Sequence, residues 1–299
     1  MNERHGARSG WGALAERLRT APTDGQHRGR RPAARRVLVI GGVVALAALA
    51  AVVGVLVSRA HRPPSPPACN FAAASAAGSY SITLEQAQNA AIIAAVALRK
   101  GLPDHAVTVA LAASLQETQL HNLTYGDLDS VGLFQQRPSQ GWGTSAQIME
   151  PDYAASAFYD RLAGLSGWQT MAVTDAAQLV QHSAAPNAYA AWEAEARSLA
   201  SAVTGEVPAG LSCHLRSFGG LPPPPPALAQ AATKEMGTSL LGVALSTKTG
   251  WEVATWAVAH AYNYHLSSVS FDGWRWTVAA GTWAPVAGPS AARNTVTVT

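Results

Sequence analysis

Charge is scarce in this chain: 13% of its 299 residues are Asp, Glu, Lys or Arg, about half the usual share. Only two cysteines are present, Cys69 and Cys213, which excludes a disulfide-dense mini-protein. No Cys/His cluster offers a metal site. His260 and His265 stand five residues apart and fall on different faces of a helix, so neither metal nor cofactor is expected. The net charge of +3 conceals a split. Residues 1–36 carry nine Arg against Glu3, Glu16 and Asp24, whereas the remainder carries 12 basic and 15 acidic side chains. The basic character thus belongs to the N-terminal tail, and a nucleic-acid-binding reading of the whole chain loses its main support. With 48% hydrophobic residues there is enough apolar material to bury, which excludes a fully disordered chain.

One stretch lacks charge altogether. Residues 37–58 run for 22 positions without an ionisable side chain, and as a helix they reach about 33 Å, enough to cross a hydrocarbon core. Arg28, Arg30, Arg31, Arg35 and Arg36 precede the run and only Arg59 and Arg62 closely follow it. The positive-inside rule then keeps residues 1–36 as a basic cytoplasmic tail and sends residues 59–299 outside, anchored to the cell membrane by a single pass. A cleaved signal peptide has a shorter apolar region.

Outside the membrane, residues 59–80 read as a Pro/Ala/Ser-rich stalk, 81–213 as a helical domain, 214–232 as a linker containing the five prolines Pro222 to Pro226, and 233–299 as a small α/β module. The cysteines bracket the helical domain, and thiols outside the cytoplasm pair, so a Cys69–Cys213 disulfide is expected. Thr83 and Gln86 have capping-box spacing ahead of a helix that stops at Gly101, and Asp104 can cap the next. From Ala106 to Leu115 that second helix carries no charge on any face, which marks it as central and buried. In the last module, Ser268 to Phe271, Asp272-Gly273 and Trp274 to Val278 form a hairpin pattern.

Glu117 lies in the final turn of the charge-free helix and is the only acidic residue between Asp104 and Asp127. Desolvation there disfavours the anion and raises the pKa, which suits a general acid. The surroundings add a pattern: Gln116-Glu117-Thr118, then Gly132-Leu133-Phe134-Gln135-Gln136, then Pro186 six residues before Trp192. In order and spacing these segments resemble the lysozyme-like superfamily of soluble lytic transglycosylases and goose-type lysozymes, which have Glu-Ser, Gly-Leu-Met-Gln and Ala-Tyr-Asn motifs.

The resemblance implies a mainly α fold with a lysozyme-like domain, here joined to the transmembrane helix and the α/β module. It implies peptidoglycan glycan strands as partner and Glu117 as the residue protonating the bond between N-acetylmuramic acid and N-acetylglucosamine. A goose-type hydrolase would position water, a role open to Asp127 or Asp129. Residues expected along the glycan are Tyr125, Ser130, Gln135, Gln136 and Trp142. Two departures are conservative, Thr118 for Ser and Phe134 for Met. The third motif departs further: an ungapped alignment puts His182 where the family has the Tyr that orients the Glu, with Tyr189 as a possible substitute. A non-catalytic wall-binding or scaffold protein is the alternative function.

Overall fold

Thr83 opens helix α1, Leu84–Arg99, with the capping box in place: its side chain accepts from the Gln86 N–H, and the Gln86 side chain accepts from the Thr83 N–H. In the computed structural model the described residues are 48–52, 66–72, 79–183, 187–215, 225–286 and 293–299. The chain divides into two units, Met1–Pro64 and Ser65–Thr299. In the first, residues 48–52 form a helical turn with exposed side chains.

In the second unit, Gly101 (φ +67°) ends α1, and Pro103 precedes α2, Asp104–Thr118. Asp104 is the first helical residue and makes no cap hydrogen bond; its carboxylate instead takes the Lys248 ammonium at 2.7 Å. Every residue of α2 from Ala106 to Leu115 is buried, as an all-round apolar helix requires. It is enclosed by α1, α4 (Pro151–Ala163), α5 (Val173–Gln181), α6 (Glu193–Val203) and a 3-10 turn at Ala188–Trp192. The short α3 (Ser145–Ile148) leads into α4. Helix α7 (Pro225–Met236) lies on α1, and α8 (Thr247–His260) packs on both α1 and α6.

The expectation of a mainly α protein with a membrane-spanning helix is corrected. The described residues are about half helical and include two antiparallel sheets. One has the order β2-β1-β3, from Ser79–Ile82, Ala68–Ala72 and Leu211–His214. The other has the order β6-β5-β4-β7, from Trp283–Pro285, Trp274–Thr277, Ser268–Phe271 and Thr297–Val298. No helix among the described residues is long and apolar enough to cross a membrane; apart from 48–52, residues 37–58 lie outside the described residues.

Part of the supposed stalk is strand. Cys69 and Phe71 alternate inward along β1 and Phe71 stacks on Tyr80 at 5.1 Å. An Ala/Ser-rich composition hides this period of two, because small residues give it little hydrophobic contrast. Cys69 pairs with Cys213 across the β1–β3 register and the two form a disulfide. Such a bond persists in oxidising compartments and is consistent with an extracellular location. The hairpin between β4 and β5 turns through Asp272 and Gly273, both at positive φ, as a type I′ turn requires. Its sheet is tied to the other one: the Trp276 indole on β5 and the Trp283 indole on β6 donate to the β3 carbonyls of Cys213 and Leu211.

Candidate active site

Helix α2 ends abruptly behind Glu117. Gln119 and Leu120 both take left-handed backbone conformations, at φ +52° and +61°. For two consecutive non-glycine residues this is costly. The segment is held by one face of α1. The Gln86 amide donates to the Gln119 carbonyl and the Asn89 amide to the Leu120 carbonyl, both at 2.8 Å. Glu85 accepts from the Asn122 N–H and pairs with His121 at 2.9 Å. His121 is therefore engaged with Glu85, not with Glu117 in the turn before it.

The second motif is fastened to the same turn. Thr118 Oγ1 and Ser114 Oγ donate to the Leu133 carbonyl at 2.8 and 3.1 Å. Thr118 therefore retains the hydroxyl function that a Ser would supply. Val131 and Gln136 close the turn through reciprocal backbone hydrogen bonds. Gly132 sits at φ +80°, where a Cβ would lie 2.7 Å from the Ile148 carbonyl oxygen. Phe134 is fully buried and stacks on Phe158 at 4.9 Å.

Glu117 itself is half-buried. The Tyr189 hydroxyl donates to Glu117 Oε1 at 2.8 Å, and Gln181 supplies a further side-chain hydrogen bond. Burial raises the Glu117 pKa above the ordinary carboxylate value, with the Tyr189 and Gln181 hydrogen bonds pulling the other way. Tyr189 is pushed well above the usual phenol range, first by burial and then by the facing Glu117 charge. Next to it, the Trp192 indole donates to Gln116 Oε1 at 2.8 Å.

The remaining sequence candidates separate into two groups. Tyr125 is 70% exposed on the 124–129 loop, with Asp127 exposed beside it. Gln135 reaches back to that loop, its amide donating to the Tyr125 carbonyl at 3.3 Å. By contrast Gln136 is buried and donates to the Ala154 carbonyl, and Ser130 is buried with its N–H on the Asp127 carbonyl. Trp142 is also buried, with the Arg161 guanidinium 3.3 Å over its ring. These three side chains serve packing rather than a glycan surface. Asp129 takes Arg137 at 2.8 Å and both the N–H and hydroxyl of Ser139. The Arg137 and Ser139 hydrogen bonds hold its pKa down to about 2, and with its oxygens so engaged it is poorly placed to activate water. His182 is exposed in a left-handed helix cap; Tyr189, not His182, contacts the Glu117 carboxyl.

Sequence reading missed Gln181 and the Glu85, Gln86 and Asn89 face. The latter spacing puts three polar residues on one side of α1. Among the described residues no group of three or more His, Cys, Asp or Glu side chains could hold a metal ion. A scan against protein-family models finds no match to this chain, and a comparison with curated proteins finds none either.

Proposed function

We propose that the protein cleaves the glycosidic bond between N-acetylmuramic acid and N-acetylglucosamine in peptidoglycan, in the manner of a lytic transglycosylase, with Glu117 as its single catalytic carboxyl group. The observation that carries this reading is Glu117 itself: a half-buried acid of raised pKa, oriented by Tyr189 at 2.8 Å. Burial keeps the carboxyl protonated closer to neutrality, which is the state a general acid starts from.

Glu117 gives its proton to the glycosidic oxygen as the bond to the anomeric carbon breaks. The 6-hydroxyl of the same muramic acid attacks that carbon, and the Glu117 carboxylate takes the hydroxyl proton. The products are a free 4-hydroxyl and a 1,6-anhydro end, with no water consumed. This route needs no second carboxylate, and Asp129 is committed to Arg137 and Ser139. The Cys69–Cys213 disulfide fits work outside the cytoplasm, where this substrate lies.

Purified full-length protein incubated with sacculi tests the reading, with the released muropeptides weighed by mass spectrometry. Anhydro ends, lighter by one water than hydrolysed ends, are expected. Glu117→Gln keeps size and hydrogen bonding and loses on the order of 10²–10⁴ in rate. Release that survives the substitution removes Glu117 from the mechanism. Sacculus binding without any release favours a wall-binding protein.

A further inference from the structure

Gln116 precedes Glu117 in the last turn of α2, and the two side chains meet one short element. The Tyr189 hydroxyl donates to Glu117 Oε1 and the Trp192 indole to Gln116 Oε1, each at 2.8 Å. Tyr189 and Trp192 stand three residues apart in the 3-10 turn Ala188–Trp192. In such a turn residues i and i+3 eclipse, about 6 Å apart along the axis. The carboxyl group and the carboxamide therefore lie side by side against one face of that turn. Glu117 is half-buried there, whereas Gln116 is exposed. An indole N–H is a donor only, so it fixes which end of the Gln116 amide turns toward it. Oε1 faces Trp192, and Nε2 faces away with two N–H groups. Among the described residues nothing in the protein accepts from them. Trp192 is itself partly buried and packed against the core. The result is an exposed pair of donors, held in one orientation, next to the carboxyl of Glu117.

Resting on the proposed role of Glu117, we propose that Gln116 is a specificity-determining residue: its amide nitrogen, aimed by Trp192, donates to the acetamido carbonyl of the sugar bound at Glu117 and selects N-acetylated over de-N-acetylated glycan. In the proposed reaction that sugar carries its 2-acetamido group on the ring carbon next to the anomeric carbon, so the group lies beside the bond that Glu117 protonates. The acetamido carbonyl is an uncharged acceptor and matches a primary amide donor. A free 2-amino group has no carbonyl to offer and, once protonated, sets donors against donors. A site that hydrogen-bonds one substituent discriminates against the analogue that lacks it. Trp192 is the positioning residue of the pair and acts through Gln116. A glutamate in place of Gln116 keeps an acceptor for the indole and replaces the amide nitrogen by a carboxylate oxygen, which repels the acetamido carbonyl and attracts an ammonium.

The test compares two glycans in two readouts. Full-length protein is given sacculi and de-N-acetylated sacculi, and the ratio of kcat/KM values is taken. In parallel, calorimetry measures its binding of the N-acetylglucosamine tetramer and of the corresponding glucosamine tetramer, which does not require that the protein be an enzyme. Wild type prefers the acetylated member of each pair. Gln116→Glu loses on the order of tenfold toward the acetylated glycan, the weight of one hydrogen bond left unmade, and gains toward the amine, so the preference narrows or inverts. Trp192→Phe keeps a ring and removes the indole donor, and it narrows the preference in the same direction by less. Circular dichroism and melting confirm that both variants are folded. An unchanged preference in folded Gln116→Glu overturns the proposal and leaves Gln116 as a partner for Trp192 only. Acetylated tetramer preferred by wild type and lost in Gln116→Glu, with no sacculus cleavage, supports the proposal and counts against the enzymatic reading alone. Wild type that neither cleaves nor binds any of the four glycans overturns both.

Discussion

The Tyr189 hydroxyl donates to Glu117 Oε1 at 2.8 Å across 72 residues of sequence. The bond joins the 3-10 turn at Ala188–Trp192 to the last turn of α2, and the Trp192–Gln116 hydrogen bond runs alongside it. The tyrosine thus acts from seven residues beyond the position that the ungapped motif assigns to His182. Tyr189→Phe keeps the buried ring and removes one charge-assisted hydrogen bond. Sacculus cleavage should fall on the order of tenfold, and stability should fall by about 1 kcal/mol. His182→Ala should leave the rate within about twofold of wild type, since surface substitutions away from special features are close to neutral. A reversed ranking of the two variants would restore His182 to the site.

The pH dependence of cleavage follows from the same carboxyl group. In the proposed mechanism Glu117 acts in its protonated form, and burial raises its pKa despite the Tyr189 and Gln181 hydrogen bonds. Activity should therefore extend above the ordinary carboxylate range and decline as pH rises through the Glu117 midpoint. Removing the Tyr189 donor favours the protonated form, so Tyr189→Phe should move this alkaline limb upward while lowering the plateau. A limb that stays in place when the hydroxyl is removed would mean another group limits the rate.

Much of the frame was legible because its signals are local. The Thr83 capping box, the Gly101 stop, the charge-free run from Ala106 to Leu115 and the Asp272-Gly273 turn each act within a few residues. What escaped depends on distant segments meeting. Whether Trp142 faces a ligand or the core is decided by Arg161, 19 positions away in sequence and 3.3 Å over its ring. Asp129 looks free until Arg137 and Ser139 close on it. The strand character of Ala68–Ala72 rests on pairing with Leu211–His214, which no pattern within an Ala-rich stretch reveals.

Gly132 is a sharp test of how the second motif is seated. At φ +80°, with a Cβ position 2.7 Å from the Ile148 carbonyl, alanine suffers both backbone strain and a clash with main chain. Gly132→Ala should cost roughly 2 kcal/mol or more in urea unfolding. It should also displace the Leu133 carbonyl from Thr118 and Ser114 and so reduce activity. Unchanged stability would contradict the close approach of this turn to α3.

The disulfide offers a larger effect on stability. Cys69 and Cys213 are fully buried and 144 residues apart, so the bond closes a loop of nearly half the unfolded chain. In the chain-entropy model a loop of this length is worth about 5 kcal/mol. The Cys69→Ala, Cys213→Ala double variant should unfold at markedly lower urea than wild type, and added reductant should lower the wild-type midpoint toward it. Coincident midpoints in the absence of reductant would assign the stability of this sheet to strand pairing alone.

Glu252 on α8 supplies the last prediction. It is 7% exposed, beside Lys248 and near Asp104, and burial lifts its pKa from 4.5 to about 8. The folded protein then holds a proton that the unfolded chain releases once pH exceeds about 4.5. Stability from this group is fully present below that value and is lost progressively as pH rises toward about 8. Above it the buried carboxylate costs roughly 3–5 kcal/mol, with Lys248 offsetting part of the desolvation. Glu252→Gln keeps the shape and cannot ionise. Its unfolding free energy should match wild type near pH 4 and exceed it by a few kcal/mol near pH 9. Other carboxyls of raised pKa, Glu117 and Glu195 among them, slope the same way, so the difference between the two proteins is the quantity to plot. A difference that stays flat from pH 4 to pH 9 would show that Glu252 ionises without cost, through water or a movement of α8 that brings its carboxylate to the surface.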